Sequence, residues 1–253
     1  MTSSKKDKLS PQIEAFLASK ELSHNSEKSY GYDLQQFLDQ VQGEITQTRL
    51  QLYQEFLKSL KPSASKRKLS AVNQFLLYLY QSGSLDSFHR LFLDIKLDKL
   101  EKNYDLLDLT SLYEETEQKE GQLIALLILE LGLTPSEIAQ LQSQDINLDF
   151  KVVTCQTKKS RRVLSISDSL LPYFDLAFGE TFLFQNGQET YSRQWYFRRL
   201  SAFLAEKNLS DLTAQKLREQ FIIRKVAEGM TIFELAKALG LKTSLSLENY
   251  FKN

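Results

Sequence analysis

The chain has 253 residues, 42% hydrophobic and 25% charged, ordinary for a soluble fold and enough for one large core or two smaller ones. Lys+Arg and Asp+Glu both number 32, so the formal net charge is zero, where a dedicated polyanion binder is usually basic. No apolar run nears the ~20 residues of a membrane span, the polar start MTSSKKDKLSPQ carries no secretion signal, and the lone Cys155 excludes an internal disulfide framework and fits a reducing cytoplasm.

Apolar spacing predicts four short helices in the first ~80 residues. Ile13, Phe16 and Leu17 form one stripe, and Tyr30, Leu34, Phe37, Leu38 and Val41 a second. Leu50, Tyr53, Phe56, Leu57 and Leu60 form a third. The fourth starts at the cap signals Pro62 and Ser63, runs through Leu69, Val72, Phe75, Leu76 and Leu79, and stops at Gly83. The aromatic residues in these stripes read as core. Lys66, Arg67 and Lys68 are the densest basic cluster of this half, either a solvated helix face or a phosphate-contacting one. Residues 85–105 are charged with weaker apolar period and read as a linker between domains at 1–84 and 106–253. Before Tyr104 the chain has 15 basic and 12 acidic residues, and after it 17 and 20, so the halves carry +3 and −3.

The second half reads as helical with one β interruption. LTSLYEETEQ and GQLIALLILELG are consecutive helices, the latter apolar on every face and therefore buried. LTPSEIAQL begins another, with Thr134, Pro135 and Glu137 in the N-cap, N1 and N3 places of a capping box. DFKVVTCQ and RRVLSIS have strand character and are joined by TKKS as a hairpin. SRQWYFRRLSAFLAEKN, LTAQKLREQFIIRKVAEG, TIFELAKALG and SLSLENYF complete a helical array. Taken alone, TIFELAKALGLKTSLSLENYF also resembles a helix-turn-helix, with Ala236 and Gly240 at suitable spacing.

The order and separation of LGLTPSEIAQL, QTKKSRR, QKLRE, LGL and Tyr250 resemble the tyrosine recombinases of the phage-integrase family, Xer type, and most closely the XerD-like group. That resemblance implies a mainly α fold. A four-helix, SAM-like core-binding domain would precede a mostly helical catalytic-type domain with a small β-hairpin. It also implies the chemistry: a tyrosine attacks a DNA phosphodiester and forms a 3′-phosphotyrosine. Two arginines clamp the phosphate, and a hairpin lysine with one or two histidines assists the proton transfers. No metal or cofactor is implied. Double-stranded DNA is the implied partner, with a recombinase-type protein as a second.

Carried over position by position, Arg218 keeps its place, Tyr250 matches the nucleophile, and Lys158 or Lys159 matches the hairpin lysine. Thr134 stands where the first arginine belongs, and Gln215 and Leu241 occupy the two histidine positions. The only histidines, His24 and His89, lie outside the catalytic half. Beyond Tyr250 come Phe251, Lys252 and Asn253, short of the tail that the resemblance implies docks on a neighbouring subunit. Lys66, Arg67, Lys68, Lys159, Arg161 and Arg162 are the expected DNA contacts, with Arg193, Arg198 and Arg199 as further candidates. The departures lead to the expectation of a DNA binder with impaired strand exchange. The alternatives are an active recombinase using an altered site and a helical regulatory module that does not cut DNA.

Overall fold

The stripe at Ile13 lies on α1 (Lys5–Ala18), and the next three lie on α2 (His24–Gln40), α3 (Gln47–Lys58) and α4 (Pro62–Gln81). The computed structural model describes residues 5–94, 104–156, 161–175 and 179–251. Side-chain caps start two of these helices, Ser23 accepting from the Ser26 N–H and Thr46 from the Arg49 N–H. In α4, Pro62 takes the first turn, where its missing N–H leaves no bond unmade. The inward faces converge on Phe16, Leu34, Phe37, Leu57, Val72, Phe75 and Leu79, all fully buried. Phe16 meets Phe75 edge-on with ring centroids 5.5 Å apart.

Chain contacts divide the molecule into Met1–Glu101 and Lys102–Asn253. The segment read as a linker, 85–105, does not behave as one piece. Leu91 is buried in the first unit, where Asn73 accepts from its N–H at 2.8 Å and donates to its carbonyl at 2.9 Å. Gln54 donates to the Phe92 carbonyl at 2.8 Å. The far end belongs to the second unit, where the buried Gln220 donates to the Asp105 carbonyl at 2.9 Å and accepts from the Leu107 N–H at 2.8 Å. Long-range amide side chains thus satisfy backbone groups that periodicity alone reads as a loop.

In the second unit, α5 (Lys119–Leu131) is buried on every face from Gly121 to Leu129, as its composition predicts. LTSLYEETEQ, read as a helix, forms only a short 3-10 turn, Thr110–Tyr113. Gln122 donates to the carbonyls of Leu112 and Glu114 at 2.9 and 2.7 Å, and so claims acceptors that a longer helix would use internally. After α6 (Pro135–Gln140) come β1 (Ile146–Asn147), β2 (Val152–Gln156) and β3 (Arg161–Ser165), an antiparallel sheet in that order. The sequence predicts two of these strands; β1 is too short to show alternation. Val153 lies opposite Leu164 and Cys155 opposite Arg162, and all four side chains are buried. The residues joining β2 to β3, with Lys158 and Lys159, lie outside the described residues.

A two-residue pairing of β4 (Gln185–Asn186) with β5 (Glu189–Thr190) turns at Gly187. The unit closes with α7 (Arg193–Glu206), α8 (Ala214–Ala227), α9 (Ile232–Ala238) and a 3-10 helix, Leu245–Tyr250. That last element is not the second α-helix of a helix-turn-helix. It packs Leu247 and Tyr250 against Phe221, Leu235 and Leu239.

Gly121 is where α7 crosses α5. A Cβ there would lie 2.4 Å from the Arg199 carbonyl oxygen and 2.7 Å from the Phe203 Cβ. Helix propensity alone would favour Gly121→Ala by ~1 kcal/mol. Overpacking reverses the sign, and a net loss of ~1–3 kcal/mol is expected in chemical denaturation.

Candidate active site

Four elements of the second unit deliver the side chains that the sequence singles out. Thr134 caps α6 as predicted: its Oγ1 accepts from the Glu137 N–H at 3.2 Å, and Glu137 Oε2 accepts from the Thr134 N–H at 2.8 Å. The Thr134 hydroxyl also donates to Glu137 Oε2 at 2.9 Å. Position 134 therefore serves to orient a carboxylate and start a helix.

The other oxygen of that carboxylate, Oε1, takes Arg162 Nη1 at 2.7 Å. Arg162 belongs to the inward face of β3 with Leu164, while Arg161 and Val163 face outward. Burial alone would raise the Glu137 pKa, but the hydrogen bonds from Arg162 and Thr134 hold it below the ordinary carboxylate value. Across the ladder from Arg162, burial pushes the Cys155 thiol up to about 11.

Arg218 projects from α8 between two helix ends. Its Nε donates to the Gly132 carbonyl at 2.8 Å and its Nη2 to the Leu239 carbonyl at 3.3 Å. Gly132 is the C-cap of α5 in the left-handed region, φ +65°, and a Cβ there would lie 2.6 Å from the Phe221 ring. Burial lowers the Arg218 pKa most, with the Glu137 carboxylate opposing and the Arg162 charge adding to the fall. Arg162, Glu137 and Arg218 thus form one electrostatic group.

Tyr250 joins them at the end of the 3-10 helix. Its hydroxyl donates to Glu219 Oε1 at 3.0 Å, and its ring centroid lies 4.5 Å from that of Tyr104. Burial, then the Glu219 carboxylate, raises the phenol pKa well above its ordinary value, and Arg218 opposes the rise. Leu241 has a structural role. It follows Gly240 (φ +65°), and its N–H returns to the Ala236 carbonyl at 2.9 Å, the Schellman ending that places an apolar residue here. Gln215 is exposed on the first turn of α8.

The basic cluster of the first unit is pinned. Arg67 Nε and Nη2 donate to the two oxygens of Asp33 at 2.8 and 3.0 Å, and Lys68 Nζ reaches Asp33 Oδ1 at 2.7 Å. Asp33 is 1% exposed, Lys66 is exposed, and Arg67 keeps half of its side chain in solvent. Sequence reasoning passed over Asp33, although it sits on the apolar stripe between Tyr30 and Phe37 at helical spacing. It also passed over Glu137 as a partner of Arg162. The signal was there in β3, since strand alternation puts Arg162 on the Leu164 face. Glu219 gave no comparable sign. Of the further candidates, Arg193 and Arg199 lie over the rings of Phe197 and Trp195 at 5.3 and 5.4 Å. Among the described residues no group of three or more His, Cys, Asp or Glu is placed to hold a metal ion.

The model for the phage integrase family matches residues 102–253, and that for the phage integrase N-terminal SAM-like domain matches 13–83. The chain belongs to the phage integrase family. Its relatives within that family include the tyrosine recombinase XerD-like proteins of Streptococcus suis (strain 05ZYH33) and Streptococcus mutans serotype c, each 50% identical. These alignments cover 94% and 95% of this chain and 98% of each relative. They place the chain among the Xer-type tyrosine recombinases of the family. Among solved structures, the fold resembles the Tn1549 transposon integrase in complex with circular intermediate DNA, with a TM-score of 0.74 at 13% identity. That match covers 99% of this chain and 96% of the integrase. It also resembles XerH site-specific recombinase bound to difH substrate, TM-score 0.71 at 14% identity over 100% and 95% of the two chains. The mainly α phage-integrase architecture, with its SAM-like first domain, is thereby confirmed.

Two outcomes follow from the site. Thr134→Ala removes the capping box and is expected to cost ~1 kcal/mol in urea unfolding. Glu219→Gln removes the carboxylate beside the phenol and should lower the Tyr250 pKa toward its ordinary value. The ultraviolet titration difference between that variant and its Tyr250→Phe counterpart reads the change.

Proposed function

We propose that this protein grips double-stranded DNA through phosphate contacts in the manner of its family, and that its capacity to cut the strand is impaired. The observation that carries the reading is the Tyr250 hydroxyl on the Glu219 carboxylate, 3.0 Å away. A phenol becomes a nucleophile by losing its proton, and an adjacent carboxylate disfavours the phenolate. Full transfer of the proton to that carboxylate is uphill by about 8 kcal/mol, taking ordinary pKa values of ~10 and ~4.3.

The rest of the site offers little compensation. Thr134 supplies no guanidinium, Leu241 has no proton to move, and Gln215 offers at most a neutral hydrogen bond. Loss of one preorganised donor to an oxyanion costs ~100- to 1000-fold in rate. Arg218 retains the position and charge to hold a phosphate, and its family place supports that role. Lys158, Lys159 and Arg161 are proposed to add contacts from the hairpin, and Lys66 and the exposed edge of Arg67 from the first unit. The names of the relatives and the DNA-bound neighbours support DNA as the partner. A cytoplasmic setting is proposed with that partner, and the buried free thiol of Cys155 supports it. No described helix is long and apolar enough to cross a membrane.

The test is a nicked duplex that traps a covalent intermediate, beside duplex binding at two salt concentrations. Binding that weakens steeply with salt, with no adduct above the Tyr250→Phe background, is the expected result. A Tyr250-dependent adduct formed at a brisk rate would establish the active-recombinase alternative. Absence of salt-dependent binding would favour the regulatory module that leaves DNA alone.

A further inference from the structure

Resting on that reading of the site, we infer that Arg162, delivered by β3, is a phosphate-binding residue that supplies the guanidinium absent at position 134. Arg162 is only 7% exposed, and its Nε and Nη2 are buried without a hydrogen-bond partner among the described residues. Among the described residues its ion pair is Nη1 to Glu137 Oε1 at 2.7 Å. Glu137 offers no second oxygen, because Oε2 is committed to the Thr134 N–H and hydroxyl at 2.8 and 2.9 Å. The unmatched edge of the guanidinium is therefore the Nε–Nη2 fork, whose two parallel N–H groups fit two oxygens of a phosphate.

The surroundings are those of an anion site. Arg162 contributes to the wall of a cleft of about 910 Å³ that β3 forms with the end of α9. Arg161, Lys237 and Lys242 also line it, giving four cations with Arg162 against one carboxylate, Glu234. That carboxylate is already engaged, accepting from the Thr231 N–H and hydroxyl at 2.9 and 2.7 Å. The opposite wall, Ala238 to Lys242, includes the stretch whose Leu239 carbonyl anchors Arg218. Arg162 also acts on the charge of Arg218. The two guanidiniums are complementary: Arg218 spends Nε and Nη2 on carbonyls, while those atoms of Arg162 have no partner among the described residues. Because the fork is buried in the DNA-free chain, engaging a phosphate turns the side chain toward the cleft and loosens its hold on Glu137.

The test compares affinities for a short labelled duplex at fixed salt across wild type, Arg162→Gln, Arg162→Lys, Glu137→Gln and Arg218→Gln, with thermal unfolding of each. Arg162→Gln should bind about tenfold more weakly, and Arg162→Lys, which keeps the charge but not the fork, should fall between. Glu137→Gln releases the guanidinium and should bind at least as tightly as wild type, although it unfolds more readily. Should Arg162→Gln fail to fold, Arg162→Lys still decides: wild-type affinity overturns the inference and a several-fold loss supports it. If Arg162→Gln binds like wild type while Arg218→Gln does not, or if Glu137→Gln loses affinity in step with Arg162→Gln, Arg162 is a structural ion pair only. The wider reading then stands. A wild-type protein that shows no salt-dependent duplex binding would remove both.

Discussion

The site is organised by one guanidinium held between two helix ends. Arg218 bonds to the Gly132 carbonyl, left without a helical partner because α5 stops in a left-handed turn, and to the Leu239 carbonyl, left so because α9 stops at Ala238, two residues before Gly240. Unpaired carbonyls at helix ends carry partial negative charge, so both ends favour a cation there. The converse also holds: α5, α8 and α9 are fixed relative to one another through that side chain. Phe221 and Leu239 pack against Gly132, so the apolar contacts and the polar anchor share one location.

Around that anchor the acidic side chains control what the basic and phenolic ones can do. Glu137 divides its oxygens between the cap of α6 and Arg162, so a helix start and a buried charge depend on the same carboxylate. Among the described residues Nε and Nη2 of Arg162 have no partner, and a buried donor left unmade costs ~1–3 kcal/mol. Glu219 acts in the opposite sense, retaining the proton of the one hydroxyl that would have to lose it. On the proposed reading, the arrangement holds a phosphodiester better than it attacks one.

Much of this was legible in the sequence because it is local. Thr134-Pro135-Ser136-Glu137 announces its capping box, the apolar stripes give α1 to α4, and an unbroken apolar run gives α5. Arg218 and Tyr250 stand out by register within a family pattern. The rest depends on contacts between residues far apart in the chain. Nothing near Tyr250 points to Glu219, and nothing in residues 85–105 reveals that Asn73, Gln54 and Gln220 draw the two ends of that segment onto different units. Asp33 and Arg162 are intermediate cases. Each is a charge on a face that periodicity assigns to the core, and such a charge requires a partner that sequence alone does not name.

On the proposed reading, attack by the phenol that Glu219 holds is the step that limits any cleavage. A duplex with sulfur in place of the 5′-bridging oxygen at the cut isolates that step, because a thiolate leaves without being given a proton. Single-turnover mixing with such a substrate is expected to yield no Tyr250-linked product above the Tyr250→Phe baseline. Rapid linkage through Tyr250 would contradict it, by showing that the site lacks only an acid.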